Sequence, residues 1–274
     1  MQLGIFAKTF SAKGTLPVLS AVRAAGYEAT QFNMACVGLP SMPDEISGSI
    51  ISEINAASKS SDVSIAAISG TYNMAHPNPA VRADGLRRLA MIIANAKTMG
   101  TNLVTLCTGS RDVEDQWRWH KDNSSPDAWR DMRDEMAKAL QLAEAHGVDL
   151  GIEPELANIV SSAQQAKRLI DQMNSKRLRI VLDPANLFEI ETKKMRPEII
   201  SRAVDVLAGH ISMAHAKDRN PMGEFVAAGT GVMDFSHFVG CLKRTGFNGP
   251  LITHGLTESE APKVAEFLKR VLEL

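Results

Sequence analysis

The chain has 274 residues, 45% of them apolar and 22% charged, with a formal net charge of −1. These values exclude a disordered polymer and a basic nucleic-acid arm, and the length suits one well-buried core. Three scattered cysteines, Cys36, Cys107 and Cys241, form neither a zinc-type pair nor an even disulfide set, which points to a reducing compartment.

Strand-like and helix-like patterns alternate along the whole chain. Strands are expected near 2–6, 28–33, 64–70, 102–107, 149–153, 179–183, 210–215 and 250–254. Between them, Asn78-Pro79 opens a helical run carrying Val81, Leu86, Leu89, Ile93 and Ala96, which Gly100 closes. Ser125-Pro126 opens another through Trp129, Met132, Met136 and Leu140, ending at Gly147. Thr257 and Glu260 are spaced as a capping box before Val264, Phe267, Leu268, Val271 and Leu272. Such alternation implies parallel strands joined by right-handed crossovers. The fold class expected is α/β, a single (β/α)8 TIM barrel spanning 1–274 as one domain, with an open doubly wound sheet as the competing architecture. The longest connection, 103–127, holds Trp117, Trp119 and His120, and its length suits a lid or a subunit contact.

Four polar residues each end a short apolar run in the second half of the chain: Glu153, Asp183, His215 and His254. Successive members lie about 30 to 40 residues apart, the scale of one βα unit, so a barrel would gather them at one mouth. Burying an unpaired carboxylate at a strand end is costly, whereas a cation shared with two imidazoles offsets that cost. Carboxylates mixed with imidazoles suit one divalent ion, Mn²⁺ first, with Co²⁺, Fe²⁺ or Zn²⁺ as alternatives. With four protein ligands on an octahedral ion, two positions remain for a substrate carbonyl and hydroxyl. The ion would polarise that carbonyl and stabilise an enediolate.

The motifs Gly151-Ile152-Glu153-Pro154-Glu155, Val181-Leu182-Asp183-Pro184-Ala185-Asn186 and His215-Ala216-Lys217-Asp218 resemble those of the xylose-isomerase-like TIM-barrel superfamily. Gln31-Phe32-Asn33, Ser69 to Asn73 with His76-Pro77, and Gly229-Thr230-Gly231 before Asp234 extend the resemblance over essentially the whole chain. That group holds sugar isomerases and epimerases, inosose dehydratase-like enzymes and apurinic endonucleases. The resemblance implies Glu153, Asp183 and His215 as metal ligands and Glu153 as the catalytic base. Its usual last ligand is a glutamate, and here His254 stands in that place. A bound neutral imidazole is a poor base, so two-base epimerisation is in doubt while one-base isomerisation or β-elimination remains feasible. Glu258, four residues on, offers a carboxylate that would have to reach back.

Asn186 replaces a histidine common in the family; its amide can hold a hydroxyl but cannot shuttle a proton. Lys217 is expected as a catalytic partner of Glu153, stabilising developing negative charge, or else as a solvated rim lysine. Substrate contacts are expected from Asn33, His76, Arg111, Glu155 and Asn186, with Arg111 either clamping an anion or pairing with the acidic run of Asp112, Glu114 and Asp115. The function expected is a metal-dependent isomerase or epimerase of a small sugar. A lyase or dehydratase on a keto-sugar or keto-inositol is the alternative, and a non-catalytic barrel a lesser one. Apurinic-site cleavage is disfavoured because the charge of −1 leaves no basic face for DNA. No apolar run reaches the roughly 18 residues of a membrane span, and the brief N-terminal apolar run is too short for a signal sequence. A cytoplasmic protein with a sugar-like substrate, no nucleic-acid or membrane partner, and a self-contact through the tryptophan loop is therefore expected.

Overall fold

The computed structural model describes residues 1–273. Eight parallel strands close into a barrel: β1 (Leu3–Phe6), β2 (Ala29–Phe32), β3 (Ser64–Ser69), β4 (Leu103–Leu106), β5 (Asp149–Ile152), β6 (Leu178–Leu182), β7 (Ile211–Ala216) and, last in the chain, β10 (Leu251–Thr253). Between β7 and β10 the chain makes a short antiparallel hairpin, β8 (Asp218–Arg219) and β9 (Phe225–Val226), which the strand pattern had not suggested. Closure comes from β1 pairing with both β2 and β10, so no barrel edge is left unpaired. The open-sheet alternative is thereby excluded.

Eight helices surround the barrel: α1 (Thr15–Ala24), α2 (Gly48–Ser61), α3 (Pro79–Ala96), α4 (Pro126–His146), α5 (Ala163–Met173), α6 (Arg196–Val206), α7 (Phe235–Arg244) and α8 (Ala261–Glu273). Asn78 and Ser125 cap α3 and α4 through the amides of Ala80 and Ala128, each with proline in the first turn. Gly147 ends α4 at φ 66°, where a side chain would be strained. Gly100 does not end α3 directly; the helix stops at Ala96 and Gly100 closes the turns beyond it. The Thr257–Glu260 box is present and starts a single 3-10 turn that runs into α8. Among the described residues, no helix is long and apolar enough to cross a membrane.

The barrel interior explains where the polar residues go. Ala29, Ala67, Leu103, Val181, Met213 and Ile252 form a small inner cluster, distinct from the larger core between strands and helices. Gly4 and Gly151 complete this layer: a Cβ on Gly4 would collide with Ile252 and the Ala29 carbonyl, and one on Gly151 with Val181 and Leu103. Side chains alternate along a strand. Two residues beyond each inner position, the next inward side chain stands at the C-terminal rim. Phe6, Gln31, Ser69, Thr105, Glu153, Asp183, His215 and His254 all occupy this second layer.

Candidate active site at the C-terminal rim

Seven of the eight second-layer residues, all but Asp183, line a cavity of about 370 Å³ that opens to solvent. One ligand atom each from Glu153, Asp183, His215 and His254 lie within 4.8 Å of one another. Glu153, Asp183 and His254 immediately follow β5, β6 and β10, and His215 is the penultimate residue of β7. Glu153 Oε1 lies 3.1 Å from His215 Nδ1 and accepts from Asn186 Nδ2 at 2.9 Å. Asp183 Oδ2 lies 3.2 Å from His254 Nε2 and 3.0 Å from Lys217 Nζ, while its other oxygen accepts from the Ala185 amide.

Gln31 gives the arrangement its polarity. Its amide nitrogen donates to Ser69 Oγ and Thr105 Oγ1, and its oxygen accepts from His215 Nε2 at 2.8 Å. With Nε2 carrying the proton, a neutral His215 turns the Nδ1 lone pair towards the Glu153 carboxylate. Two acceptors so close repel unless a proton, which makes His215 an imidazolium, or a metal ion lies between them, and a hydrogen-bonded second nitrogen is the usual support of a metal-bound imidazole. Asn186 Oδ1, enclosed without a partner, leaves a further oxygen available at the same place. The donor set therefore fits a divalent ion.

The charges are balanced within the site. Lys217 is only 5% exposed. Burial works against its ammonium, but Asp183, Glu153 and Glu155 outweigh that and hold it protonated above the usual lysine range. Burial likewise acts against the Asp183 and Glu153 carboxylates. The cations beside them prevail, Lys217 first for Asp183 and His215 first for Glu153, and both carboxyls sit below the usual range. Burial and the charge of His215 push the His254 imidazole down, favouring its neutral, metal-competent form. For Glu155, burial and then the Glu153 charge outweigh the Lys217 ammonium and push its carboxyl up to about 8. Burial raises the Cys107 thiol well above its ordinary value.

Among the expected substrate contacts, Asn33 and Glu155 line the cavity and Asn186 sits beneath it on Glu153. Asn33 also caps the 3-10 turn Met34–Val37. Arg111 is not in the cavity wall. Its guanidinium is held by Asp131 at 2.7 Å and by the Ala75 carbonyl, so neither anion clamping nor pairing with Asp112 describes it. Asp112 pairs instead with Arg118. His76 lies on the outer side of the long loop, bonded to the Val113 carbonyl and the Asn78 amide, because the chain after β3 turns away from the mouth. Lys217 is no rim lysine: it is a buried counter-ion of Asp183, with Phe225 against its ammonium. Glu258 does not reach back; it accepts from the backbone and hydroxyl of Ser11. Gln31, Thr105 and Cys107 carried no role in the sequence reading. The signal that finds them is the same two-residue step, from Ala29 to Gln31 and from Leu103 to Thr105 to Cys107.

Fold and rim together define a TIM barrel with a buried two-carboxylate, two-imidazole site. The profile of the xylose isomerase-like TIM barrel family matches residues 19–271, and the chain belongs to that family. It is 26% identical over 200 residues to L-ribulose-5-phosphate 3-epimerase UlaE of Escherichia coli K12, a match covering 72% of this chain and 65% of that protein's length. In structure it resembles apo 3-keto-D-glucoside 4-epimerase YcjR of E. coli, with a TM-score of 0.77, 16% identity and 100% of both chains covered. It likewise resembles an IolI protein crystallised with a zinc atom, with a TM-score of 0.75 and 16% identity, covering 100% of this chain and 98% of that one.

Proposed function

We propose that the protein is an isomerase or epimerase of a small polyhydroxy carbonyl compound, a sugar or close relative, that uses one divalent ion. The observation that carries this reading is the convergence of Glu153, Asp183, His215 and His254 within 4.8 Å, with Glu153, His215 and His254 lining an open cavity. Mn²⁺ heads the candidate ions, with Co²⁺, Fe²⁺ and Zn²⁺ behind it, since mixed carboxylate and imidazole donors accept each of them. When bound, the ion supplies Lewis acidity that polarises a substrate carbonyl. Membership of the family and the UlaE likeness support the sugar class of substrate.

Glu153 is the residue we assign as base. It lines the cavity, stays ionised, and is aimed by Asn186 and His215, so it can take a proton from a carbon beside a carbonyl. Returning the proton to the neighbouring carbon from the same face, while the hydroxyl proton passes between the two adjacent oxygens, completes a one-base aldose–ketose exchange. His254 stands where the resemblance implies a second carboxylate, and this favours isomerisation over two-base epimerisation. Asn33 and Asn186 offer amides to sugar hydroxyls. Lys217, buried on Asp183, balances the charge of the site rather than touching substrate.

Incubating the metal-loaded protein with ketoses, aldoses and keto-inositols in deuterium oxide tests the reading. Deuterium should enter the carbon beside the carbonyl. Glu153→Gln should slow that exchange by at least about a hundredfold, with an unchanged circular dichroism spectrum. Exchange at the wild-type rate in this variant would remove Glu153 as base. A dehydrated product would move the assignment to the lyase alternative.

A further inference from the structure

The cavity does not end at the carboxylates and imidazoles. Its outer wall comes from the connection after β4, which brings Gln116 and Trp117 to it. The same two residues wall a shallower neighbouring space of about 420 Å³, whose other sides include Asn73, Asp112, Glu114 and Asp115. Gln116 and Trp117 are thus the partition common to both. The loop that displays them is pinned rather than slack. Asn158 accepts from the Gly109 amide at 2.8 Å and donates to the Gln116 carbonyl at 3.1 Å. Asn123 accepts from the Arg111 amide at 2.7 Å, and the Ser110 hydroxyl donates to the Arg118 carbonyl at 2.6 Å.

On this frame Trp117 is 48% exposed, a large apolar ring half in water beside a polar cavity. Such area is stabilised when a partner covers it. Trp119, on the same loop and also exposed, walls neither space. Gln116 Oε1 is enclosed without a hydrogen-bond partner, so its amide is not committed to the protein and can turn towards a ligand hydroxyl. Among the described residues Lys8 is the one lysine in the cavity wall, and no arginine lines it. Phosphate ends are ordinarily met by arginines or several converging donors. The carboxylates of Asp112, Glu114 and Asp115 next door would repel a phosphate but accept from sugar hydroxyls.

We propose that Gln116 and Trp117 form a distal subsite for a neutral sugar ring, which makes the substrate a glycoside of a keto-sugar rather than a free or phosphorylated ketopentose. The ring's C–H face covers the Trp117 indole, the Gln116 amide takes a hydroxyl, and the keto carbon of the same ring lies towards Glu153. This last placement rests on the isomerase reading above.

Calorimetric titration of the metal-loaded protein with methyl 3-keto-glucoside, L-ribulose and L-ribulose 5-phosphate tests the subsite. The keto-glucoside should bind about tenfold more tightly than either pentulose, the gain expected of one aromatic face. Trp117→Ala should remove that advantage, Trp117→Phe should keep most of it, and L-ribulose should bind all three proteins alike. Tightest binding of L-ribulose 5-phosphate, lost in Lys8→Met, would overturn the proposal, as would an equal loss of all three ligands in Trp117→Ala. Solvent deuterium exchange with the same ligands separates the two readings. Exchange into a pentulose without preferred glycoside binding removes the subsite and keeps the isomerase. Trp117-dependent glycoside binding without exchange into any ligand does the reverse.

Discussion

Lys217 and Gln31 each brace one residue of the site, Lys217 the Asp183 carboxylate and Gln31 the His215 imidazole, and the two contributions are separable. Lys217 neutralises Asp183 at 3.0 Å, with both groups withdrawn from solvent. Removing one partner of a buried pair leaves the other charge unpaired, which costs about 3–5 kcal/mol. Lys217→Met should therefore lower the metal-free unfolding free energy by about that amount, and a saturating divalent ion should restore much of it by supplying positive charge. Urea unfolding with and without the ion measures both; equal stabilities of variant and wild type without metal would refute the counter-ion role. Gln31 holds the proton on His215 Nε2 and so aims Nδ1 at Glu153. Gln31→Leu should weaken metal affinity about 10- to 100-fold, the usual effect of losing such support. His254→Ala, which loses a ligand outright, should weaken it at least as much. Competition against a chromogenic chelator reads both, and unchanged affinity in His254→Ala would make that residue a substrate contact instead.

At the scale of elements, the strand is the device that builds the site and the long loop is the device that encloses it. Each strand contributes one glycine or apolar residue to the inner layer and, two positions on, one residue to the rim, polar in every strand but β1, which supplies Phe6. The loop after β4 owes its shape to buried amides, with Asn158 bridging Gly109 and Gln116 across sequence. Asn158→Ala strands those two backbone groups and should cost about 1–3 kcal/mol locally. Hydrogen exchange should accelerate across residues 109–118 while α4 and β5 stay protected. An unaltered loop would mean that Asn73, Asn123 and Ser110 suffice to hold it. His76 and Arg111 show how loop residues escape sequence reasoning. Both follow strands expected to end at the mouth, yet backbone turns that no periodicity records direct them outward, to the Val113 carbonyl and to Asp131.

For the molecule as a whole, barrel closure is the step on which the rim depends. Gly4 sits where β1 joins β2 and β10, and a methyl there would meet the Ala29 carbonyl at 2.7 Å, a backbone atom that cannot step aside. At Gly151 the nearest atoms are the tips of Val181 and Leu103, which can. Overpacking of this kind costs about 1–3 kcal/mol, so Gly4→Ala should destabilise the protein by that order and Gly151→Ala by less. Denaturant midpoints rank the two, and the reverse order would show that closure tolerates more at β1 than its packing suggests.

The sequence by itself determined the barrel, its eight parallel strands nearly to the residue, and the series Glu153, Asp183, His215 and His254. It could do so because strand alternation and helix capping are local, and because a buried carboxylate at a strand end is conspicuous. Gln31 obeys the same two-residue step, but an uncharged amide raises no such alarm. Only the tertiary structure decided that Lys217 is a buried counter-ion, that His76 and Arg111 face away, and that Gln116 and Trp117 share a wall between two spaces. Those facts depend on which side chains meet across distant segments, and on how long-range packing turns each loop, neither of which is encoded in a local period.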